Sequence, residues 1–514
     1  MSGKDANAIT QLEKLENHWD TAAAAELLQN LQERLGAEIS IVDSNLTTIH
    51  TLIRFRDIRL RGLEEIPALF IGPTPDVTEI VTQFYRKESG PGKVLLFLTL
   101  NQHQQESAES ATHGQRCLVL GPAQLRALLS EPKSKDQLMR WFHRKIPIFS
   151  LIPYNYILAA QGNMFFGREA ELNKLLHEDE TSFAVAGPSR IGKTSLVRQY
   201  QRNLLRAGDR RYQSSFYVDL YECNGMSKNE IANFLAMKID GTKRSVAVTE
   251  HDLMNLLKRL RSQIGQRVEL VLDETDGACE AGFFSILAEA AKLGLCRLIL
   301  CGRGKLLQLA LSNASQLGHR LELLRVDPLD EAAAERLIID PLSDLGLTLE
   351  DPGFVLEHLF RLTGRLPCLL QLFAKQLAEL AIGSASASIT AKHLDTVKWD
   401  FSVAQYITAP LNDLLGIESR LVALLLLKSG ASKVTEAMIQ SVGSREGMNI
   451  TVQRSRDIAN DLFINNILAW VSGSFRIANE AISYYARETG YLDGALAEAR
   501  LAVHGKAVGK GVAT

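Results

Sequence analysis

Gly187-Pro188-Ser189-Arg190-Ile191-Gly192-Lys193-Thr194 fits G-x-x-x-x-G-K-[ST], and Ser195 follows it. Its glycines let a backbone curl with N–H groups pointing inward and no Cβ in the way, which makes a nest for a chain of phosphates. A helix opening at Lys193 adds unsatisfied N–H donors and the positive end of its dipole. In such a loop Lys193 reaches the β- and γ-phosphates, and the Thr194 hydroxyl holds Mg²⁺. A second apolar run, Val268 to Leu272, ends in Asp273-Glu274. At the carboxyl end of a strand, Asp273 reaches Mg²⁺ through its water shell, and Glu274 serves as general base toward the attacking water. Together the two patterns predict binding of a nucleoside triphosphate with Mg²⁺, and its hydrolysis.

These groups need rigid elements to hold them. Phe183 to Ala186 reads as a buried strand, and the residues from Ser195 to Tyr200 continue as a helix. A strand at Ser215–Leu220 and helices at Lys228–Lys238 and Thr249–Ile264 precede the Asp273-Glu274 run. A strand at Cys296–Cys301 then ends in Gly302-Arg303, and Arg320–Leu329 gives a further strand and turn. A helix at Glu331–Ile339 follows, with Pro341 beyond it. Strands alternating with helices predict an α/β fold with a parallel sheet.

Upstream, residues 1–40 show two helices, the second closed at Gly36. Apolar runs at Ile39–Val42, Ala68–Ile71, Val94–Leu98 and Cys117–Leu120 alternate with helical segments at Val77–Tyr85 and Pro122–Leu129, predicting a small, partly parallel α/β unit. Gln102–Gly114 reads as an exposed loop with His103 and His113 solvated. No catalytic constellation stands out in this part. Downstream, residues 342–400 read as helical, with helices at Phe354–Leu362 and Leu369–Leu380. Helices at Glu418–Lys428, Thr435–Val442 and Thr451–Phe463 come next, then a hairpin turning at Ser472-Gly473-Ser474, the pattern of a winged helix. The tail from His504, with Gly505, Gly509 and Gly511, is expected to be disordered.

Just ahead of the phosphate loop stands Met164-Phe165-Phe166-Gly167-Arg168-Glu169-Ala170-Glu171-Leu172. With the two Walker elements, this segment resembles the start of the nucleotide-binding module of bacterial STAND NTPases (signal transduction ATPases with numerous domains), relatives of AAA+ proteins and archaeal replication-initiator ATPases. The resemblance covers residues 151–490. It implies a P-loop AAA+-like core at 151–340, a helical lid at 341–405, a winged helix at 406–490 and a tail at 491–514, behind a small α/β domain of unknown role at 1–150. It also implies that Phe166, Gly167 and Arg168 lie over the adenine and that Arg303 senses the γ-phosphate. Gly364-Arg365-Leu366-Pro367 is similar to the family's Gly-x-Pro turn with one residue more, so Pro367, with Arg365 nearby, is carried over loosely as closing the pocket. Asp276 matches an Asp-Glu-x-Asp variant found in these relatives, and Arg320 is placed as an arginine finger toward a neighbouring subunit. In the family the winged helix clamps the resting state.

Composition sets the outer bounds. An apolar share of 46% and a charged share of 23% suit several packed cores, and a net charge of −2 makes no general case for nucleic acid or a membrane. The six cysteines contain no C-x-x-C pair and read as buried reduced thiols. The N-terminus lacks the apolar core of a signal peptide, and Leu421–Leu427 is too short to cross a bilayer, so a cytoplasmic protein is expected. The leading reading is a nucleotide-switched signal-transduction ATPase of slow turnover that meets a protein partner or a second copy on switching. One rival is a DNA-binding or DNA-loading ATPase whose winged helix reads duplex through Arg454 and Arg456. Another is a passive ATP binder. Asp457 and Asp461 beside those arginines weigh against the first rival, and the intact Asp273-Glu274 pair against the second. No array of sensor repeats follows the winged helix, so sensing is expected in residues 1–150 or in a partner.

Overall fold

In the computed structural model, which describes residues 3–74, 76–90, 92–241, 249–280, 282–311, 317–397, 401–414, 416–431, 433–471 and 473–509, the first five strands form one mixed sheet. Strands β1 (Ala37–Ser44), β2 (Thr48–Phe55) and β3 (Glu65–Ile71) run antiparallel, and β4 (Leu95–Thr99) and β5 (Cys117–Leu120) continue parallel to β3. Helices Gly3–Asn17 and Thr21–Leu35 precede it, and Gly36 closes the second in the left-handed conformation (φ 58°). Strand β2 escaped the sequence reading because Thr48, His50, Thr51 and Arg54 interrupt its apolar residues, although the first three are buried. The exposed loop expected at Gln102–Gly114 is instead a helix, Gln102–Ala111. Only Gln104 and Ala108 of that helix are buried, so it carries almost no apolar stripe. It is held by polar contacts: the Asn101 side chain caps Gln104 N–H, and Gln104 Nε2 donates to Gly72 O at 2.8 Å. His103 and His113 are exposed.

The second sheet is parallel throughout, in the order β10-β6-β9-β8-β7, with β6 (Ser182–Ala186), β7 (Ser215–Asp219), β8 (Val268–Asp273), β9 (Cys296–Gly302) and β10 (Leu321–Arg325). Parallel strands covered on both faces must be apolar almost throughout, and every residue of β6, β8 and β9 is buried. The chain leaves β6 for the far edge at β7, returns through β8 and β9, and adds β10 on the other side of β6. All five strand ends therefore open on one edge, where α/β sheets bind their ligands.

Two charges lie inside this core. Arg297 of β9 and Glu269 of β8 are paired at 2.6 Å, with side chains only 3% and 4% exposed. Glu269 also accepts from Tyr200 Oη and Ser215 Oγ, both at 2.7 Å. Arg297 donates further to the carbonyls of Leu175, Glu178 and Thr181. The network ties β8 and β9 to helix Lys193–Arg206, which carries Tyr200, and to the end of helix Glu169–His177. All five guanidinium protons and both carboxylate oxygens have partners, which is what a buried ion pair needs to be tolerated.

Beyond β10, helix Glu331–Asp344 carries Pro341 inside it rather than ending before it. The proline forfeits one N–H bond, but Pro341 and Leu342 are buried and Leu345 N–H still reaches Pro341 O at 3.1 Å, so packing retains the last turn. Helices Pro352–Thr363 and Pro367–Gly383 follow, then the short helices Phe401–Ile407 and Ala409–Asn412. Helices Ile417–Ser429, Glu436–Arg445 and Val452–Ile464 lead to an antiparallel pair, Leu468–Val471 with Ser474–Ile477, turning at Gly473 (φ 78°). Ser472, assigned to that turn, lies outside the described residues. The disordered tail expected from His504 is corrected as far as Gly509: helix Tyr491–Gly509 packs on Ile417–Ser429. Leu492, Ala495, Leu496 and Ala499 give it a buried stripe at helical spacing, and Gly511 lies outside the described residues. Five of the cysteines are buried, Cys279 is half-buried, and all six are free thiols. Among the described residues no helix is long and apolar enough to cross a membrane.

Glu269→Ala would leave Arg297 buried without its carboxylate. It is expected to lower the opening free energy of this sheet by about 3–5 kcal/mol, read from hydrogen exchange of the β8 and β9 amides. Unchanged protection would contradict the role given to the pair.

Candidate functional site

Ala186, the last residue of β6, sits in register between Gly302 of β9 and Arg325 of β10, so the loop leaves the sheet at its centre. Gly187 N–H reaches Gly302 O at 3.3 Å, and a Cβ at Gly187 would stand 2.6 Å from Val326 O, so a side chain does not fit here. The loop then curls through two left-handed residues, Arg190 (φ 65°) and Gly192 (φ 104°). Gly192 adopts this freely. Arg190 adopts it at a cost of order 1–3 kcal/mol, which the surroundings must supply. Helix Lys193–Arg206 begins without a side-chain cap, leaving its first N–H groups, those of Lys193, Thr194 and Ser195, to an anion. Lys193 Nζ donates to Gly187 O and Pro188 O, both at 2.9 Å, and an ammonium has a third proton for a phosphate oxygen. Burial pushes the Lys193 ammonium below its ordinary value, and the neighbouring Glu274, Asp413 and Asp273 pull it back up.

Asp273 ends β8, two strands away from β6. It is 2% exposed, accepts from Tyr217 Oη at 2.9 Å, and accepts the Glu274 N–H at 3.0 Å. Glu274 turns left-handed (φ 52°) and lines the same cavity as Lys193, Thr194 and Arg303. Burial raises its carboxyl above the ordinary carboxylate value; Lys193 and Arg303 restrain the rise, and Asp273 and Asp276 add to it. Arg303 follows β9 with Nη2 at 3.7 Å from Glu274 Oε2. Burial opposes its charge, but Asp413, Glu274 and Asp276 hold the guanidinium above its ordinary value. Asp276 accepts the N–H groups of Arg303 (2.6 Å) and Lys305 (3.0 Å), so it fixes the start of helix Gly304–Leu311 and with it the position of Arg303.

A cavity of about 360 Å³ runs from these groups past Asn155–Ala160 to Pro367, Cys368 and Gln371. Pro367 is the first residue of helix Pro367–Gly383 and borders a second, more apolar cavity lined by Phe165, Phe166, Arg168 and Ile191. Phe166 is buried with the guanidinium groups of Arg59 and Arg336 at 5.7 and 5.5 Å from its ring centroid. Gly167 (φ 63°) packs on helix Glu331–Asp344, where a Cβ would meet Ala333 Cβ at 2.2 Å. Arg168 is buried and donates to the carbonyls of Ile191 and Asp327 and to Glu171, so its guanidinium braces the loop. Arg365 (φ 57°) accepts Leu329 N–H through its carbonyl, and Arg320 is exposed at the end of the turn Gly318–Arg320.

Three site neighbours carried no signal in the sequence. Tyr217 steadies Asp273. Gln371, buried, accepts Asn155 N–H at 3.0 Å and so holds the strand of chain that walls the cavity. Asp413 places its carboxylate on the loop, accepting Ser189 N–H at 2.7 Å, Ser189 Oγ at 2.9 Å and Arg303 Nη1 at 2.8 Å. Each belongs to no motif and is brought in only by tertiary folding. As a donor set the site suits a nucleotide with Mg²⁺: inward amides, an ammonium and a guanidinium for phosphates, and a hydroxyl and a carboxylate for a hard cation.

Comparison with known proteins bears on this geometry. No curated protein matches the chain. Among solved structures it is similar to a Walker-type ATPase of Pyrococcus abyssi, at 18% identity and a TM-score of 0.48 over 66% of this chain and 99% of that one. It is also similar to the ORC2 protein of Aeropyrum pernix, at 12% identity and a TM-score of 0.44 over 66% and 97%. The RuvB Holliday junction branch migration motor of Thermotoga maritima follows at 13% identity and a TM-score of 0.34 over 63% and 94%. The family described as Novel STAND NTPase 1 matches residues 153–413, from ahead of Phe166 to Asp413 and just over half of the chain. With its parallel sheet and phosphate loop, the chain belongs to this family of STAND NTPases.

Proposed function

We propose that the chain binds ATP and ADP with Mg²⁺ in this cavity, hydrolyses ATP slowly, and uses the difference between the two as a regulatory switch. The observation that carries the reading is the meeting of Lys193, Glu274 and Arg303 around one cavity, with Asp413 of the connector to the C-terminal helices in direct contact. Gly187, Pro188, Ser189, Arg190, Ile191 and Gly192 would wrap the phosphates, with Lys193, Thr194 and Ser195 offering N–H groups from the helix start. Phe166, Gly167, Arg168 and Pro367 would form the base end. Thr194 and Asp273 would hold Mg²⁺, which when bound neutralises charge on the phosphate oxygens. Glu274 would take the proton of the attacking water. Burial raises its carboxyl, which makes it a stronger base than a solvated glutamate. Arg303 would answer charge at the terminal phosphate.

In this reading residues 1–150 are a separate α/β domain, 151–340 the ATPase core and 341–405 a lid. Residues 406–490 would be a winged helix, and helix Tyr491–Gly509, in the segment read as a tail at 491–514, packs on it. The DNA-loading alternative draws less support. Arg454 is paired with Glu418 at 2.8 Å and Arg456 with Glu436 at 3.2 Å, and Asp457 and Asp461 add negative charge to the same helix, where duplex phosphates would be repelled.

Lys193→Ala removes a charge-assisted phosphate contact worth about 1.5–3 kcal/mol, so ATP affinity is expected to fall by about ten- to a hundredfold in calorimetry. Binding within about twofold of wild type would rule the site out. Glu274→Gln keeps the shape but not the base: ATP binding should persist while single-turnover hydrolysis slows by roughly 10²–10⁴-fold. Equal, near-zero turnover in both proteins would leave a passive binder. Arg454→Ala combined with Arg456→Ala is expected to leave duplex affinity unchanged at low salt, where phosphate contacts are strongest. A large drop would favour the DNA-loading alternative.

A further inference from the structure

We propose that Asp413 is a built-in competitor for the terminal phosphate, so that with the connector docked the site selects a nucleoside diphosphate over a triphosphate. The proposal rests on the nucleotide reading of the loop given above. Its basis is where the carboxylate lies. Asp413 is 2% exposed at its side chain, and its oxygens take the Ser189 N–H, the Ser189 hydroxyl and one Arg303 Nη1 proton. An amide at the turn of a phosphate loop and a guanidinium beside a general base are donors suited to a phosphate anion. Here a carboxylate from 224 residues along the chain holds them both.

The end of the phosphate chain that this carboxylate contests follows from Glu274. A base that activates water for attack must stand beside the terminal phosphate. Arg303 lies 3.7 Å from Glu274 and 2.8 Å from Asp413, so the Asp413 carboxylate belongs to that same end. Lys193 and the helix N-terminus, which meet the inner phosphates, make no hydrogen bond to Asp413 among the described residues; Lys193 Nζ donates to Gly187 O and Pro188 O. A diphosphate therefore meets no rival. A third phosphate brings a second anion to donors already taken, in a pocket with Glu274, Asp273 and Asp276 nearby. Two anions close together in a buried site repel, and these donors can serve only one of them.

Displacing Asp413 also displaces more than a side chain. Tyr406, from helix Phe401–Ile407, lies under the Arg190 guanidinium at 4.9 Å and edge-on to Tyr156 at 4.9 Å. The connector thus holds two consecutive loop residues, Ser189 by hydrogen bonds and Arg190 by its cation–π contact, and Arg190 is the strained one. Helix Ile417–Ser429 starts directly after it. Entry of a terminal phosphate would release the connector at both points and free the helices it leads into.

The test uses the full chain with Asp413→Asn and Asp413→Ala, ADP, and a non-hydrolysable ATP analogue. Apparent affinity falls by the fraction of molecules able to bind, so removing the competing charge should raise analogue affinity about tenfold or more by calorimetry while ADP affinity stays within about twofold. In wild type the analogue, and not ADP, should speed hydrogen exchange across residues 401–414; in Asp413→Asn that exchange should be fast without it. The two variants differ in the cavity they leave, so a shift shared by both reports the charge. Equal effects on ADP and analogue, or none on either, would overturn the proposal and leave the nucleotide site standing. No binding of either nucleotide by wild type or variants would overturn the site as well.

Discussion

A loop of backbone amides can meet a chain of phosphates only if it is held still before the charge arrives, because amides that must reorganise lose most of their electrostatic advantage. Several neighbours of residues 187–194 act on that requirement. The loop is anchored to β9 through Gly187 and Gly302, closed across its mouth by Lys193, and braced from behind by Arg168 on Ile191 O. Behind these contacts, the buried Glu269–Arg297 pair links the two strands whose ends deliver Asp273 and Arg303.

The cavity is gripped from both ends of the chain. At the phosphate end the grip is the Asp413 and Tyr406 connector. At the apolar end it is the N-terminal sheet: Arg59, just beyond β2, stacks over Phe166 and pairs with Asp340 and Asp344 of helix Glu331–Asp344. Asn163 donates to Phe55 O and Ile58 O from the other side of that junction. A change in either flanking unit therefore has a short mechanical path to the site, as the proposed switch requires.

Legibility in the sequence followed the physics of each part. Buried parallel strands are unbroken apolar runs, and the phosphate loop is a backbone geometry that only a narrow set of residues can adopt, so β6, β8, β9 and the loop could be read directly. Strand β2 and helix Gln102–Ala111 could not, since one hides its burial under polar residues and the other is held by hydrogen bonds of Asn101 and Gln104 instead of an apolar face. Helix Tyr491–Gly509 was obscured by the glycines and alanines around its short buried stripe of Leu492, Ala495, Leu496 and Ala499, which packs on Ile417–Ser429. Within the site, Lys193, Thr194, Asp273 and Glu274 announce themselves by spacing. Asp413, Tyr217 and Gln371 do not, because their partners lie 224, 56 and 216 residues away in sequence.

The proposed switch requires that the identity of the nucleotide change the shape of the protein. Light scattering of the full chain in ADP and in a non-hydrolysable ATP analogue measures this most directly. A larger mass or hydrodynamic radius is expected with the analogue, and none of that change with ADP. Identical size and shape in the two nucleotides, at concentrations where both are bound, would contradict it.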